Sequence, residues 1–159
     1  MRFLPALMIL LLLSNPILLP KIISTEQVDT DEIIIAIIDT GVDYNHPALG
    51  GGIGPDKIII GGYDFIDNDD DPMDELGHGT HIAGIITNIS PNSKILAYRV
   101  VDYTGLVKSS DVIDAMELAV SNGADVINIS LGSLSESEEL RKSIKQISNS
   151  GVINVAAVG

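Results

Sequence analysis

Cysteine and tryptophan are absent from the 159-residue sequence, and only two phenylalanines and four tyrosines are present. Without cysteine the chain cannot form a disulfide framework, a thiolate zinc site or a cysteine nucleophile. Basic residues are also scarce, since 9 Lys and Arg stand against 22 Asp and Glu, for a formal charge of −13. Such a charge opposes binding to nucleic acid and to anionic membrane surfaces, so cations are the better partners.

Apolar residues, by contrast, make up 45% of the chain. This fraction is too high for an intrinsically disordered protein. A chain of this length corresponds to one domain that can bury a real core.

The first two dozen residues form a separate segment. Arg2 precedes an unbroken apolar run over 3–13, and the polar residues and proline at 14–16 interrupt it. This is the layout of a secretory signal, and the run is shorter than the ~20 residues of a membrane-spanning helix. We predict that residues 1–24 are a signal peptide, with an uncleaved membrane anchor as the alternative. The protein is then secreted or faces the cell exterior, and it contacts a membrane only through an uncleaved leader.

From Glu32 onward, apolar runs typical of buried strands alternate with segments of helical length. The predicted strands cover 33–38, 58–60 with a second extended piece at 63–65, 94–101, 125–130 and 152–158. The predicted helices cover 78–88, 110–122 and 136–148. Strands separated by helices imply right-handed crossovers and a parallel sheet covered on both faces. We therefore predict an α/β fold with three layers, αβα, around a mostly parallel sheet.

Such sheets place their chemistry at the carboxyl ends of strands, and one candidate residue lies at that position. Asp39 ends the first predicted strand, and His78 begins the first predicted helix. Each residue alone is explained by a structural role, as a turn-capping aspartate or a helix-terminal histidine. Their combination is more specific, because three motifs follow one another: IIDTGVDYNHP at 37–47, GHGTHIAG at 77–84 and DVINISLG at 125–132.

The three motifs, in this order, strongly resemble those of subtilisin-like serine proteases, and the resemblance covers nearly all of 32–159. It implies that residues 25–159 are the N-terminal part of a subtilisin-like peptidase domain that cleaves peptide bonds with an Asp-His-Ser triad. Asp39 is then the triad aspartate, and His78 is the general base that takes the proton of the serine hydroxyl. The carboxylate fixes the tautomer of the imidazole and stabilises the imidazolium.

The resemblance also implies where substrate binds. Ser130, Leu131 and Gly132 would offer main-chain groups to an extended polypeptide, which would pair with them as an added strand. Gly105 matches the segment that flanks the other side of the substrate in the family. A strand-to-loop exit and a turn glycine are the structural alternatives for these residues.

The family's serine nucleophile lies in a Gly-Thr-Ser-Met type motif that this sequence does not contain. Ser130 and Ser133 lack that context, and the sequence stops at Gly159, one residue before the position of the family's oxyanion-hole asparagine. We therefore expect a domain that is incomplete at its C-terminal side, and a chain that does not hydrolyse peptides by itself. Either the sequence is part of a longer serine endopeptidase, or it is a truncated, non-catalytic relative that retains only a peptide-binding groove.

The segment 64–75 is unusually acidic. Closely spaced carboxylates repel one another unless water or a hard cation neutralises them. Some subtilisin relatives bind calcium in this loop, and this resemblance makes four aspartates candidate calcium ligands, with the carbonyl of Met73: Asp64, Asp67, Asp69 and Asp71. A solvated loop without an ion is the alternative, and no cofactor is expected for catalysis.

Two other hydrolase classes fit the sequence less well. The Asp-Thr-Gly triplet at 39–41 also occurs in aspartic proteases, but their fold is all-β and helices alternate with strands here. A zinc hydrolase would need better ligands than His78 and His81, because the glutamate of the His-Glu-x-x-His motif is missing.

Overall fold

The computed structural model describes residues 32–132 and 137–157. Its five strands are β1 (Ile34–Asp39), β2 (Ile59–Asp64), β3 (Lys94–Arg99), β4 (Val126–Ile129) and β5 (Ile153–Ala156). Its three α-helices are α1 (His78–Ile89), α2 (Ser109–Ser121) and α3 (Glu138–Ser148), and a short 3-10 turn covers Pro47–Leu49. All strand pairs are parallel, and the strands lie in the order β2-β3-β1-β4-β5.

The sheet is covered by helices on both faces. Ala36 and Ile38 of the central strand β1 pack in the cluster that contains α2 and α3. Ile37, whose side chain points the opposite way, packs against α1. This alternation follows from the period of two along a strand, and it explains why β1 is apolar at almost every position. The predicted three-layer α/β fold is confirmed.

The crossover connections do not all have the same hand. Along the sheet order, the steps from β2 to β3, from β3 to β4 and from β4 to β5 all run in one direction. However, α1 lies on the face opposite to α2 and α3. A parallel connection reverses its hand when its helix changes face, so the prediction of right-handed crossovers throughout is wrong. Since right-handed connections are the rule, the exception is the connection through α1.

The ends of the other two helices follow local sequence signals. Helix α3 begins after Ser137, whose hydroxyl accepts a hydrogen bond from the Leu140 N–H at 3.2 Å. Helix α2 ends before Gly123, which has a φ of +80°, a conformation that favours glycine. The two pieces predicted at 58–60 and 63–65 are wrong as separate elements, because they form the single strand β2 with a register shift between Ile59 and Gly61.

Strand β5 is an edge of the sheet, with one neighbour, β4, among the strands that the structure describes. Its Ile153 and Val155 are 61% and 51% exposed. Within 32–132 and 137–157, no helix is long and apolar enough to cross a bilayer. The predicted leader, residues 1–24, lies outside the described residues.

Candidate active site

Asp39 lies at the carboxyl end of β1, and its side chain is fully buried. Its Oδ1 accepts a hydrogen bond from the backbone N–H of Thr40 at 2.7 Å. Its Oδ2 has no hydrogen-bond partner within the described part of the chain. Burying a carboxylate oxygen without a hydrogen bond costs free energy. A role as a turn cap uses only Oδ1, so it does not explain why the whole side chain is buried.

His78 is the first residue of α1, and its ring reaches Asp39. The Nδ1 atom of His78 lies 2.7 Å from Oδ1 of Asp39. The His78 side chain is nevertheless 51% exposed, so the part of the ring away from Asp39 is open to solvent. With Nδ1 held by a carboxylate, Nε2 of the neutral ring is free to accept a proton.

Hydrogen bonds and a close backbone approach hold the loop after β1 and the start of α1 together. The N–H of Gly79 donates to Oγ1 of Thr40 at 2.9 Å, and the N–H of Asp43 donates to Oγ1 of Thr80 at 2.8 Å. A β-carbon at Gly79 would overlap the carbonyl oxygen of Gly41. Glycine is therefore required at this position, because the loop after β1 and the start of α1 meet backbone to backbone.

The two segments predicted to bind substrate lie on either side of Asp39. In the sheet, β1 stands between β3 and β4, so the loop after β3 and the residues after β4 flank the end of β1. Gly105 occupies a tight turn in that loop, with a φ of +83° and its N–H bonded to the carbonyl of Asp102 at 3.0 Å. Gly132 is exposed, and apart from its chain neighbours no described residue has an atom within 4 Å of where its β-carbon would be.

Ser130 is partly buried and its hydroxyl is engaged. It donates to Oδ1 of Asn128 at 2.8 Å, so the first residue of the 130–132 segment is held by a side chain of β4. Leu131 packs against the core cluster that contains α2 and α3. Ser133, the other serine considered as a nucleophile, lies outside the described residues.

A buried guanidinium organises the acidic loop. Arg99, at the end of β3, is 6% exposed in its side chain and pairs with three carboxylates, at 2.8 Å to Asp64, 3.1 Å to Asp67 and 2.7 Å to Glu75. Burial lowers the pKa of Arg99, but these carboxylates outweigh burial and raise it above its ordinary value. Arg99 therefore supplies part of the positive charge that the sequence led us to expect from a cation.

Each of the four aspartates predicted to bind calcium has other partners within the protein. Oδ1 of Asp64 accepts the N–H groups of Ile66 and Asp67. Oδ1 of Asp69 accepts the N–H of Asp71 at 2.9 Å, and Oδ1 of Asp71 accepts the hydroxyl of Tyr44 at 2.6 Å. Among the described residues, no three His, Cys, Asp or Glu side chains form a group that could hold a metal ion. The described side chains therefore form no ready-made calcium site, and calcium stays a prediction from the charge of the loop and from the resemblance.

The acidic loop also contacts the segment after Asp39. The N–H of Val42 donates to the carbonyl of Pro72 at 2.9 Å. The hydrogen bond to Asp71 is the largest effect that raises the pKa of Tyr44 to about 12. The carbonyl oxygens of Pro72 and Met73 lie 2.6 and 2.9 Å from the position that a β-carbon of Gly41 would occupy. The loop is thus packed against this segment at Pro72 and Met73, while residues 67–71 and Glu75 are exposed.

Sequence reasoning missed two residues of this region, Arg99 and Asp74. A single arginine at the end of an otherwise apolar strand, facing an acidic loop, was the available signal for Arg99. Asp74 lies three residues before Gly77, the residue at the usual capping position of α1, so the ordinary capping signal does not point to it. Neither interpretation of the acidic segment, a cation site or a solvated loop, predicts partners for Arg99 or Asp74 within the protein.

The buried aspartate and the histidine that it holds, at the end of a central parallel strand, are the arrangement found in serine proteases of the subtilisin type. The model of the subtilase family, Peptidase_S8, matches residues 30–159. The chain therefore belongs to the subtilase family, as the three motifs suggested.

Two individual relatives illustrate the similarity. The chain is 45% identical over 135 residues to "Thermophilic serine proteinase" of Bacillus sp. (strain AK1), covering 79% of this chain and 32% of that protein. It is 41% identical over 135 residues to "Thermitase" of Thermoactinomyces vulgaris, covering 79% of this chain and 46% of that protein. The chain thus spans less than half the length of these two relatives.

Solved structures show the same fold. A cold adapted subtilisin-like serine proteinase aligns with a TM-score of 0.70 at 34% identity, over 80% of this chain and 46% of that chain. A lanthipeptide protease aligns with a TM-score of 0.67 at 35% identity, over 80% of this chain and 39% of that chain. Both structures are more than 30% identical in sequence to this chain, so the comparison of folds and the comparison of sequences indicate the same family.

Proposed function

We propose that this chain carries two of the three triad residues of a serine-type endopeptidase, with Asp39 as the orienting carboxylate and His78 as the general base. The serine and the oxyanion asparagine would be supplied by sequence that follows Gly159. The 159-residue chain alone then has no nucleophile in position to form an acyl-enzyme and does not hydrolyse peptides.

One observation carries the proposal: the 2.7 Å contact between Nδ1 of His78 and Oδ1 of the fully buried Asp39. This contact keeps the proton on Nδ1 and leaves Nε2 free to take the proton of a serine hydroxyl. His78 would then return that proton to the leaving amine, while the carboxylate stabilises the imidazolium. The half-exposed ring gives a substrate access to the Nε2 side.

The substrate in this proposal is an extended polypeptide. It would lie between the turn at Gly105 and the segment 130–132, with its backbone hydrogen-bonded to main-chain groups on both sides. Gly132 and the turn at Gly105 leave space for such an approach, because no described residue other than the chain neighbours of each glycine has an atom within 4 Å of its β-carbon position. Recognition through the backbone would give a broad preference for sequence.

The test begins by sequencing the locus and its transcript beyond the codon for Gly159. An asparagine next, and a Gly-Thr-Ser segment later, support the endopeptidase, and the complete product should then cleave an unfolded protein substrate. In that product, Asp39→Asn should lower kcat by about 10⁴-fold, because it leaves the wrong imidazole tautomer. His81→Asn is the matched control on the same helix and should stay within a few-fold of the parent.

The second candidate is a non-catalytic protein that binds extended peptides in the same groove. This candidate needs only the turn at Gly105 and the segment 130–132 on either side of β1, and it needs no nucleophile. An authentic stop codon after Gly159, together with binding of an unfolded polypeptide without cleavage, would support this candidate and contradict the endopeptidase.

We further propose that the protein is exported. The basic and apolar layout of residues 1–24 supports export, and one relative, 44% identical over 115 residues, is named "Minor extracellular protease Vpr" of Bacillus subtilis (strain 168). N-terminal sequencing of the protein from the culture medium tests this proposal, and retention of the whole product in the cytoplasm would contradict it.

A further inference from the structure

The catalytic helix has an unusual start. Helix α1 begins at His78 directly after Gly77, which has a φ of +89° and no side chain to cap the helix. Apart from the chain neighbours of Gly77, no described residue has an atom within 4 Å of the position that its β-carbon would occupy. The residue before His78 is therefore held neither by its own packing nor by a side-chain cap of its own.

Asp74 supplies the missing cap from three positions upstream of Gly77. Its Oδ1 accepts the N–H groups of Leu76 at 2.9 Å and of Gly77 at 2.8 Å. Its Oδ2 accepts the N–H of Thr80 at 2.9 Å and the hydroxyl of Thr80 at 2.6 Å. One carboxylate thus bonds to residues on both sides of His78 without a hydrogen bond to His78 itself.

The same network reaches the segment that follows Asp39. Because the hydroxyl of Thr80 donates to Asp74, its oxygen is oriented to accept the N–H of Asp43, which it does at 2.8 Å. Burial would raise the pKa of Asp74, but the hydrogen bonds from Thr80, Gly77 and Leu76 outweigh burial and lower it. At neutral pH, Asp74 is therefore the charged acceptor that this network needs.

We propose that Asp74 is a positioning residue, which acts through Thr80 and the turn at Gly77 to hold the His78 ring against Asp39. The inference rests on the proposed function, because it concerns the same His78–Asp39 pair. Gly77 by itself permits many backbone conformations. Asp74 selects one of them, and the link from Thr80 to Asp43 fixes that conformation relative to the loop after β1.

The test measures the hydrogen bond between His78 and Asp39 directly. The sequence has only three histidines, so chain labelled with ¹⁵N-histidine gives three imidazole spin systems, and His78→Gln assigns the one of interest. The readout is the rate at which the Nδ1 proton of His78 exchanges with water. It is recorded on dilute, monomeric chain far below the melting temperature, so that global unfolding does not contribute.

Asp74→Ala should accelerate this exchange at least tenfold. Asp74→Asn should give an intermediate rate, because one oxygen still accepts from Leu76 and Gly77 while the amide nitrogen cannot accept from Thr80. Thr80→Val should behave like Asp74→Asn, and Thr80→Ser, which keeps the hydroxyl, should restore the parent rate. If Asp74→Ala does not fold, the exchange rates measured in Asp74→Asn and in the two Thr80 variants test the proposal instead.

Asp102→Ala is the matched control. The Asp102 carboxylate also accepts three hydrogen bonds within its own loop, from the N–H and hydroxyl of Thr104 and the N–H of Leu106. It lies in the loop after β3 and has no hydrogen bond to α1. Its removal should leave the exchange rate of the His78 proton unchanged.

The exchange rates distinguish failure of the proposed function from failure of the positioning role alone. A parent chain whose His78 Nδ1 proton exchanges as fast as that of a free imidazole contradicts the Asp39–His78 pair, and with it the proposed function and this inference. A protected proton whose exchange stays within twofold in Asp74→Ala, or in the Asn and Val variants if Ala does not fold, overturns the positioning role alone.

Discussion

Glycine at position 79 is set by contact between two backbones. Gly79→Ala places a methyl group against the carbonyl oxygen of Gly41, so we expect a loss of about 1–3 kcal/mol in the free energy of unfolding. Gly84→Ala on the same helix meets no atom within 4 Å. It should stabilise the protein by about 0.5–1 kcal/mol, because alanine favours the helix interior. Urea unfolding of both variants tests the pair, and equal effects would contradict the contact.

Asp74 gives the stability of the protein a defined dependence on pH. The hydrogen bonds to its carboxylate lower the pKa of Asp74 in the folded state. Its stabilising contribution is therefore present above the pKa of an unfolded aspartate, about 3.9, and is lost as the pH falls through the lower folded value. Asp74→Asn should be less stable than the parent at pH 7, and the difference should shrink toward pH 3. A difference that stays constant between these pH values would contradict the ionised cap.

At the scale of elements, the acidic loop is fastened to β3 by Arg99. Arg99→Gln leaves the fully buried Asp64 without its counter-charge, and breaking a buried pair costs roughly 3–5 kcal/mol. The control Glu138→Gln removes a pair with Arg141 at 3.7 Å that is exposed on both sides, which should change stability by less than about 1 kcal/mol. Thermal and urea unfolding compare the two, and similar losses would show that Arg99 is not the fastening residue.

Calcium in this loop is tested by removing the ion. If calcium binds near His78, excess chelator should lower the melting temperature of the protein, and added calcium should restore it. Arg99→Gln should respond to calcium more strongly than the parent, because three carboxylates then lack the guanidinium. If chelator leaves the melting temperature of the parent unchanged, the calcium prediction is wrong. The positive charge that neutralises the loop would then come from Arg99 of β3.

The sequence predicted elements better than it predicted their connections. Strand β1 was recognised because a strand buried on both faces is apolar at consecutive positions, and α2 because Gly123 marks its end. The hand of the crossover through α1 was missed, because it depends on which face of the sheet a helix covers. Asp39 and His78 were found through the order of three motifs. Arg99 and Asp74 were not, because their roles depend on partners that only the folded chain brings near.

At the scale of the whole molecule, the described residues cover one face of the sheet only partly at the edge strand β5. Ile153 and Val155 project from β5 on the face of α1, and both are more than half exposed. Exposed apolar side chains on an edge strand favour association between chains. We expect the 159-residue polypeptide to self-associate as its concentration rises, and Val155→Lys to reduce this association.

Light scattering over a range of concentrations measures the effect. Leu106→Lys is the control, because Leu106 is also exposed but lies in the loop after β3, away from the sheet edge. A chain that remains a stable, cooperatively unfolding monomer at all concentrations would contradict the prediction. Equal improvement by both lysine variants would show that the edge strand is not the cause.

The central place of β1 also determines when this protein can fold. Its neighbours β3 and β4 both lie later in the chain, so a nascent polypeptide that has emerged only through α1 still lacks both of them. Until then, a strand rich in isoleucine stays unpaired, and closing two long loops precedes any gain from its burial. The slow step of folding should therefore be the insertion of β1 between its two later neighbours, and the earliest intermediates should expose this strand to chaperones.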